Sequence, residues 1–233
     1  MKVVPMIFNT DMVKALMAGD KVVTRRPAKN LSFSERVGFI VGEWAYGIGW
    51  NLRETMNNCI RSKSAKCPAQ RGDLIYVRET FGCCGVRSVY KADDDGASCM
   101  VKKWTPSIHM PRTESRLTLK VTDVRIERVQ DITEEQAVRE GIISTEDYGY
   151  RAGEGDLFNC PKCDGFQVHG YIAANGGVGE TDCTACDTAI KRFGILWDSI
   201  YQNWDQNPYV WVIEFEVIHQ NVDKYLESVK EAA

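Results

Sequence analysis

The stretch LTLKVTDVRIERV, residues 117–129, indicates the fold class more directly than any other part of the chain. Leu117, Leu119 and Val121 alternate with polar residues, which is the pattern of a strand with one buried face. The alternation breaks over the next two residues and resumes at Val124, as a bulge or bend at a barrel corner requires. We therefore expect a curved sheet that contains this strand.

The rest of the chain mixes strands with helices. Further strands are predicted over residues 74–78, after a turn at Gly72–Asp73, and over residues 208–217. Capping residues and apolar spacing predict four helices. They run from Thr10 to Gly19, from Thr133 to Gly141, from Thr188 to Tyr201 and from Asp223 to Ala232. The expected fold class is therefore α+β.

A length of 233 residues allows one large core or two small ones, and we favour one core with insertions. The expected divisions are a single domain from residues 1–147 and 188–220, an inserted loop at 29–66, a cysteine-bearing insertion at 148–187, and a C-terminal helix or tail at 221–233. Each insertion interrupts the core without ending it.

The inserted loop at 29–66 is predicted to be long and irregular, with one short helix, because glycines recur between its aromatic residues. Its Trp44, Tyr46 and Trp50 could stack on nucleic-acid bases. Buried anchors for the loop are the interpretation we favour for these three side chains.

Composition excludes several classes of protein. Hydrophobic residues make up 44% of the chain and charged residues 26%, which is ordinary for a folded globular protein. A formal net charge of -3 argues against a broadly basic nucleic-acid-binding surface, so any nucleic-acid contact should be local. No apolar run is long enough to span a membrane, and the first residues lack the apolar core of a signal peptide. We expect a cytoplasmic protein with no membrane partner.

Four of the nine cysteines, Cys160, Cys163, Cys183 and Cys186, form two C-x-x-C pairs with nineteen residues between them. This spacing is typical of a zinc ribbon, in which each pair turns two thiolates toward one metal ion. Four soft thiolates favour zinc over harder cations, and a closed shell of four leaves no position for a substrate. We therefore predict a zinc-ribbon-like loop that holds Zn²⁺ as a structural cofactor, with no metal required for catalysis.

Other interpretations of the cysteines stay open. An iron-sulfur cluster or a redox-active pair would use the same four thiolates. His169 lies between the two pairs and could be an additional ligand, although a hydrogen-bonded loop histidine is favoured. The remaining five cysteines show no metal-ligand spacing and are predicted to be free thiols.

The segment AGDKVVTRR, residues 18–26, places one amine, one hydroxyl and two guanidinium groups just after the first predicted helix. Such a group could bind a polar or anionic ligand, and a solvated basic strand edge is the competing interpretation. In an ideal strand Lys21 and Thr24 would point to opposite faces, so they can meet one ligand only if the backbone turns or bulges between them. Arg25 and Arg26 are candidate contacts for a nucleic acid or another anionic substrate.

A second group of charged residues follows the predicted strand at 74–78. Arg78, Glu79 and Arg112 could form an ion-pair network at the mouth of a barrel, or hold a phosphate. We include Arg78 among the candidate binding residues. His109 is predicted to be a hydrogen-bonded histidine rather than a general base.

Four segments together resemble the ASCH family of PUA-like proteins, in particular its members from phages and prophages. They are residues 19–26, residues 71–81 (RGDLIYVRETF), residues 104–112 (WTPSIHMPR) and residues 211–215 (WVIEF) of the closing strand. The resemblance covers about the whole chain outside the cysteine-bearing insertion at 148–187, hereafter the cysteine loop. It implies a small PUA-like β-barrel with flanking helices, and an association with RNA, nucleosides or modified bases.

Within that superfamily, the small bacterial amidohydrolases that remove the acetyl group from N(4)-acetylcytidine are similar at matching positions. Their lysine and threonine lie in a G-x-K-x-x-T-x-R segment, which matches Lys21 and Thr24, and the arginine of that segment matches Arg26. Their catalytic glutamate lies near the end of a helix opened by a T-E pair, which matches Glu140. This chain is considerably longer, so its insertions could cover or reshape the pocket.

The resemblance implies that Lys21, Thr24 and Glu140 remove an acyl group from a modified cytidine, another nucleoside or an RNA base. Such a reaction needs a nucleophile, a base and a proton for the leaving amine. Thr24 would supply the hydroxyl, and Glu140 would hold or relay the proton. Lys21 would be the base if neutral, or would stabilise the oxyanion if charged. A non-catalytic RNA-binding module and an RNA-cleaving ASCH nuclease are the alternatives.

Overall fold

A computed structural model describes residues 1–29, 31–41, 50–62, 67–93, 96–144, 146–147, 160–163, 168–173 and 176–231. The strands are β1 (Val3–Ile7), β2 (Val23–Pro27), β3 (Leu31–Ser34), β4 (Gly38–Val41), β5 (Leu74–Arg78), β6 (Phe81–Cys83), β7 (Ser88–Tyr90), β8 (Thr118–Arg128), β9 (Val168–Ile172), β10 (Val178–Asp182) and β11 (Tyr209–Ile218). The helices are α1 (Thr10–Ala18), α2 (Leu52–Ser62), α3 (Glu134–Arg139), α4 (Ala189–Tyr201) and α5 (Val222–Glu231). The predicted mixture of strands and helices is therefore confirmed.

The chain divides into two compact units. Unit 1 comprises Met1–Glu127 and Tyr209–Ala233, and unit 2 comprises Arg128–Pro208. Unit 2 contains α3 and α4 as well as the cysteine loop. Among the described residues, no helix has both the length and the apolar character needed to cross a bilayer.

Unit 1 is built on a five-stranded sheet in the order β1, β5, β8, β11, β2. Strand β1 runs parallel to β5, with Val3 opposite Leu74, whereas β5 and β8 are antiparallel. Strand β2 is antiparallel to β11, with Thr24 opposite Ile213. In the described part of the chain no ladder joins the two end strands, so the closed barrel that we expected is not observed.

Strand β8 confirms the change of phase that the sequence predicts. Leu119 and Val121 are buried, and burial resumes at Val124 and Ile126 after one partly buried and one exposed residue. The strand nevertheless runs without interruption over eleven residues. A strand whose buried side changes phase along its length can turn each half toward a different part of the core.

Helix α1 begins one residue earlier than predicted and ends where expected. The cap is Asn9, whose side-chain oxygen accepts the N–H of Met12 at 2.8 Å, and Thr10 is already helical. Gly19 ends the helix with a φ of +84°, a left-handed conformation that favours glycine. The chain then passes through Lys21 and enters β2.

The segment predicted as an irregular loop, residues 29–66, contains the antiparallel hairpin of β3 and β4 as well as the predicted helix, α2. The expectation was wrong for the hairpin. Phe39 shows the reason, because its buried ring contacts Phe33 at 5.0 Å and Tyr209 at 5.3 Å between ring centroids. The hairpin is therefore stabilised by packing on a strand that is distant in sequence, and no local pattern of alternation indicates this packing.

The aromatic residues of the same segment also differ from expectation. Trp50 is 63% exposed, so it is not the buried anchor that we predicted. Trp44 and Tyr46 lie outside the described residues.

Helix α3 of unit 2 begins at the predicted capping box. Thr133 Oγ1 accepts the N–H of Gln136 at 3.2 Å, and the Gln136 side chain accepts the N–H of Thr133 at 3.3 Å. Gly141 follows the helix with a φ of +91°. The sequence therefore predicts both ends of this helix correctly, because its caps are local.

Helix α4 begins after Thr188, whose hydroxyl accepts the N–H of Lys191, and it ends at Tyr201 as predicted. Phe193, Leu196 and Trp197 of its apolar stripe are buried. These three residues pack as core, which is the role that the spacing indicates, whereas Ile200 at the end of the stripe is 45% exposed.

Candidate metal centre and buried polar residues

The four predicted metal ligands come together in unit 2. The sulfurs of Cys160, Cys163, Cys183 and Cys186 all lie within 4.8 Å of one another, and all four side chains are buried. Cys160 Sγ is 3.8 Å from Cys183 Sγ, and Cys163 Sγ is 3.6 Å from Cys186 Sγ. A tetrahedron with metal-sulfur bonds of about 2.3 Å has sulfur-sulfur edges of about 3.8 Å. The cluster could therefore hold one metal ion.

Two short turns and a hairpin position the thiols. Each C-x-x-C pair flanks a turn, and the antiparallel strands β9 and β10 lie between the pairs, with Asp182 opposite Val168. Ile143, Ala185 and Ile195 pack against the cluster that the four cysteines form. The side chain of His169, considered as an additional ligand, lies outside the described residues.

The backbone around Cys160 favours the form of the thiol that binds metals. Burial raises the pKa of Cys160, but hydrogen bonds from the backbone of Lys162 and Cys163 and from the side chains of Cys163 and Cys186 together leave the pKa below its ordinary value. The thiolate is the species that coordinates a metal.

The expectation of free thiols holds wherever the structure describes the other cysteine side chains. Cys67, Cys83, Cys84 and Cys99 form no disulfide. The side chain of Cys59 lies outside the described residues.

Lys21, Thr24 and Arg25 are buried in unit 1, with exposed fractions of 1%, 2% and 3%. A solvated basic edge is therefore the wrong interpretation of Lys21 and Arg25. Strand β2 begins at Val23, so Lys21 precedes it, and the Lys21 N–H donates to the Ala15 carbonyl at 3.1 Å in the turn after α1. The alternation of side chains along an ideal strand therefore does not apply between Lys21 and Thr24.

Arg25 takes part in a series of ion pairs within unit 1. Its Nη2 lies 3.3 Å from Glu127 Oε2. Glu127 also pairs with Arg125, and Arg125 pairs with Glu214. These contacts join β2, β8 and β11, so Arg25, predicted as a binding residue, also holds an end strand in the sheet.

Arg26 and Arg78, the other predicted binding residues, contact the backbone of unit 1. Arg26 Nη2 donates to the Ile7 carbonyl at 2.8 Å. Arg78 Nε donates to the Met110 carbonyl at 3.0 Å, and its Nη2 donates to the Ile108 carbonyl. In this structure both guanidinium groups therefore fix the positions of neighbouring segments.

The predicted ion-pair network around Glu79 has different members. The Glu79 carboxylate accepts two hydrogen bonds from Arg116, at 2.8 Å and 3.0 Å, and Arg116 also donates to Asp93 at 2.7 Å. Arg112 pairs with Asp223 instead. Burial raises the pKa of Glu79, and the hydrogen bond and charge of Arg116 only partly oppose this rise.

An open groove of about 640 Å³ adjoins this network in unit 1. Its lining includes Tyr90, Arg116, His219 and Lys224, and the Arg116 guanidinium lies 4.1 Å from the centroid of the Tyr90 ring. Within the described part of the chain, none of the catalytic or binding residues predicted from the sequence lines the groove.

Glu140 belongs to unit 2, where it follows the last residue of α3. Its side chain is 4% exposed, and its N–H donates to the carbonyls of Gln136 and Ala137 at 3.1 Å. A carboxylate at this end of a helix is disfavoured by the helix dipole. Stabilisation of α3 is therefore not a reason for a glutamate at this position.

These features define an α+β protein with a buried four-cysteine cluster that could hold a metal ion. No protein-family model, curated protein or solved structure matches the chain.

Proposed function

We propose that this chain is an ASCH-like hydrolase with a PUA-like barrel, which removes the acyl group from an N(4)-acylated cytidine, a related nucleoside or an RNA base. One observation carries the proposal: Lys21, Thr24 and Glu140, matched by the motif alone, are all buried. Lysine and glutamate are almost never buried so completely unless they are paired or functional. An amine, a hydroxyl and a carboxylate are also the groups that deacylation needs.

In the proposed reaction the Thr24 hydroxyl oxygen attacks the acyl carbonyl carbon, and its proton passes to the Lys21 amine. The bond between the acyl carbon and cytosine N4 then breaks, and the leaving amine takes up this proton from the Lys21 ammonium, while Glu140 keeps the role in proton transfer that the motif gives it. Water cleaves the Thr24 ester, which releases the carboxylic acid and restores the hydroxyl.

We also propose that the metal held by the four cysteines is Zn²⁺ and that its role is structural. Four thiolates are the donor set of a closed zinc site, which has no position for a substrate. The loop between the two cysteine pairs is rich in glycine, so a bound metal would take the place of a hydrophobic core. The proposed reaction therefore uses only side chains of the chain.

Charge favours a nucleoside or a locally held base over an extended RNA contact by the cysteine loop. Strands β9 and β10 carry Glu180 and Asp182, and residues 168–182 contain neither lysine nor arginine. Binding to a phosphate backbone depends on such cations.

Chromatography of N(4)-acetylcytidine after incubation with the purified protein tests the proposal. Thr24→Val keeps the shape of the side chain and removes the nucleophile, so turnover should fall at least about 10²-fold. Thr118→Val is the matched control, because Thr118 is another buried threonine of unit 1, whose hydroxyl donates to the Gln220 carbonyl at 2.8 Å. This control should keep wild-type turnover if it folds.

Three outcomes would contradict the proposal. Unchanged turnover in Thr24→Val would refute the assignment of the nucleophile. Salt-sensitive RNA binding by a wild type without turnover would favour the binding module, and cleavage of labelled RNA would favour the nuclease.

A further inference from the structure

The backbone that follows Glu140 is tied to the metal centre by one buried side chain. Arg192 lies in α4 and is 1% exposed. Its Nη1 donates to the Cys186 carbonyl at 2.7 Å, and its Nη2 donates to the Ile143 carbonyl at 2.8 Å. A single guanidinium therefore connects the last cysteine of the cluster with a residue three positions after Glu140.

Two further contacts join the same parts of unit 2. The Ile143 side chain packs against the four cysteines. At the other end of α3, the Glu134 carboxylate accepts the N–H groups of Ala189 and Ile190, at 2.8 Å and 3.2 Å, where α4 begins. Helix α3 is thus held to α4 at its start, and the segment after α3 is held to the cysteine loop.

The bridge depends on the fold of the second cysteine pair. The Cys186 carbonyl keeps its position only while the turn from Cys183 to Cys186 keeps its shape, and a metal would fix that turn through both thiolates. Loss of an acceptor is costly for a buried charged donor, so a change at Cys186 is transmitted to Arg192. Arginine suits this position because its planar fork can donate in two directions at once.

We propose that Arg192 is a positioning residue that couples occupancy of the four-cysteine metal centre to the placement of Glu140. When metal is bound, the guanidinium anchors the segment from Glu140 to Ile143. When metal is lost, the turn at Cys186 loosens and this anchor weakens. The proposal depends on the proposed function only in giving Glu140 a catalytic role, since the coupling itself is a property of unit 2.

Amide hydrogen exchange at Glu140, Gly141 and Ile142 measures the coupling without an activity assay. These amides donate to carbonyls of residues 136–138 at the end of α3. Protein loaded with Zn²⁺ is compared with protein stripped by a chelator under reducing conditions, and bound metal is counted by elemental analysis. We expect exchange at the three amides to be roughly tenfold faster without metal.

Two variants separate Arg192 from general damage to the loop. Arg192→Lys keeps the charge but cannot bridge both carbonyls, so these amides should exchange faster even with zinc bound. Lys191→Met is the matched control, because Lys191 Nζ contacts Thr184 and Asp187 of the cysteine loop, at 2.8 Å and 2.7 Å. It removes a contact to the loop without removing the contact to Ile143, and exchange should stay at the wild-type rate.

Equal exchange with and without zinc would overturn the inference, as would a zinc-loaded Arg192→Lys with wild-type exchange. If Arg192→Lys does not retain zinc, a zinc titration of the wild type decides alone, because protection must rise with bound metal.

Turnover of N(4)-acetylcytidine is measured on the same samples, and loss of zinc should lower kcat more than it raises KM. Turnover that survives while the amides loosen overturns the positioning role. Coupling without any turnover contradicts the proposed function and leaves the coupling established.

Discussion

Lys21 poses the main question at the scale of single residues. An ammonium group taken out of water costs several kcal/mol unless it is paired or loses its proton. Both outcomes are compatible with catalysis, since a neutral amine is a base and a charged one stabilises an oxyanion. The two roles predict different results when the side chain is exchanged for one that is always charged.

We expect Lys21→Arg to be as inactive as Lys21→Met, with turnover lowered on the order of 10²–10⁴-fold in both. Arginine cannot give up its proton in a protein, so it cannot act as the base, and methionine fills the space without a charge. Steady-state assays on both variants check this, with thermal unfolding as the control for folding. Much higher turnover in Lys21→Arg than in Lys21→Met would show that the positive charge, not the base, is required.

Residue spacing predicts the cysteine cluster but not the partners of Arg116. A C-x-x-C turn brings its two sulfurs together within one local structure, so the sequence specifies most of that geometry. Glu79 and Asp93 are 37 and 23 residues from Arg116. Such a network cannot be recognised before the strands are placed, because oppositely charged residues occur throughout the chain.

At the scale of elements, local signals predict the ends of helices well, but they do not predict elements that depend on tertiary packing. The ends of α3 and α4 match their caps, since a cap depends on residues within one turn. The hairpin of β3 and β4 escapes prediction because its buried Phe39 packs on Tyr209 of β11. The start of α1 differs by one residue because Asn9 and Thr10 are both good caps, and only the backbone decides between them.

Asn9→Ala should lower the free energy of unfolding by about 1 kcal/mol, because the Met12 N–H loses its acceptor at the start of α1. Thr10→Ala should cost no more than a few tenths of a kcal/mol, since alanine is favourable inside a helix. Urea unfolding of the two variants measures the difference. A larger loss in Thr10→Ala would place the cap where the sequence first suggested.

At the scale of the whole molecule, strand order is the property furthest from the sequence. The sheet joins β1, near the start of the chain, to β5 and places the late strand β11 between β8 and β2. Alternation predicts which residues of a strand are buried, but it does not say which strand lies beside it. The strand predictions therefore hold at β5, β8 and β11, while the order of the described strands comes only from the structure.

The dependence of stability on pH should reveal the ionisation of Glu79, a buried carboxyl of unit 1. Its raised pKa means that the native state holds this proton more tightly than the unfolded chain does. Below the ordinary value of 4.5 both states are protonated, and as the pH rises above it the unfolded chain ionises first, so native stability falls until the raised pKa is passed.

Glu79→Gln is neutral at every pH, so the wild type should lose stability relative to this variant across that window. Urea unfolding from about pH 4 to pH 7 measures the difference in stability, and Glu216→Gln, at an exposed carboxylate 3.9 Å from Lys120 Nζ, is the control for replacing a glutamate outside the core. A wild type that gains stability relative to Glu79→Gln as the pH rises would contradict this, because the hydrogen bond and charge of Arg116 would then outweigh burial.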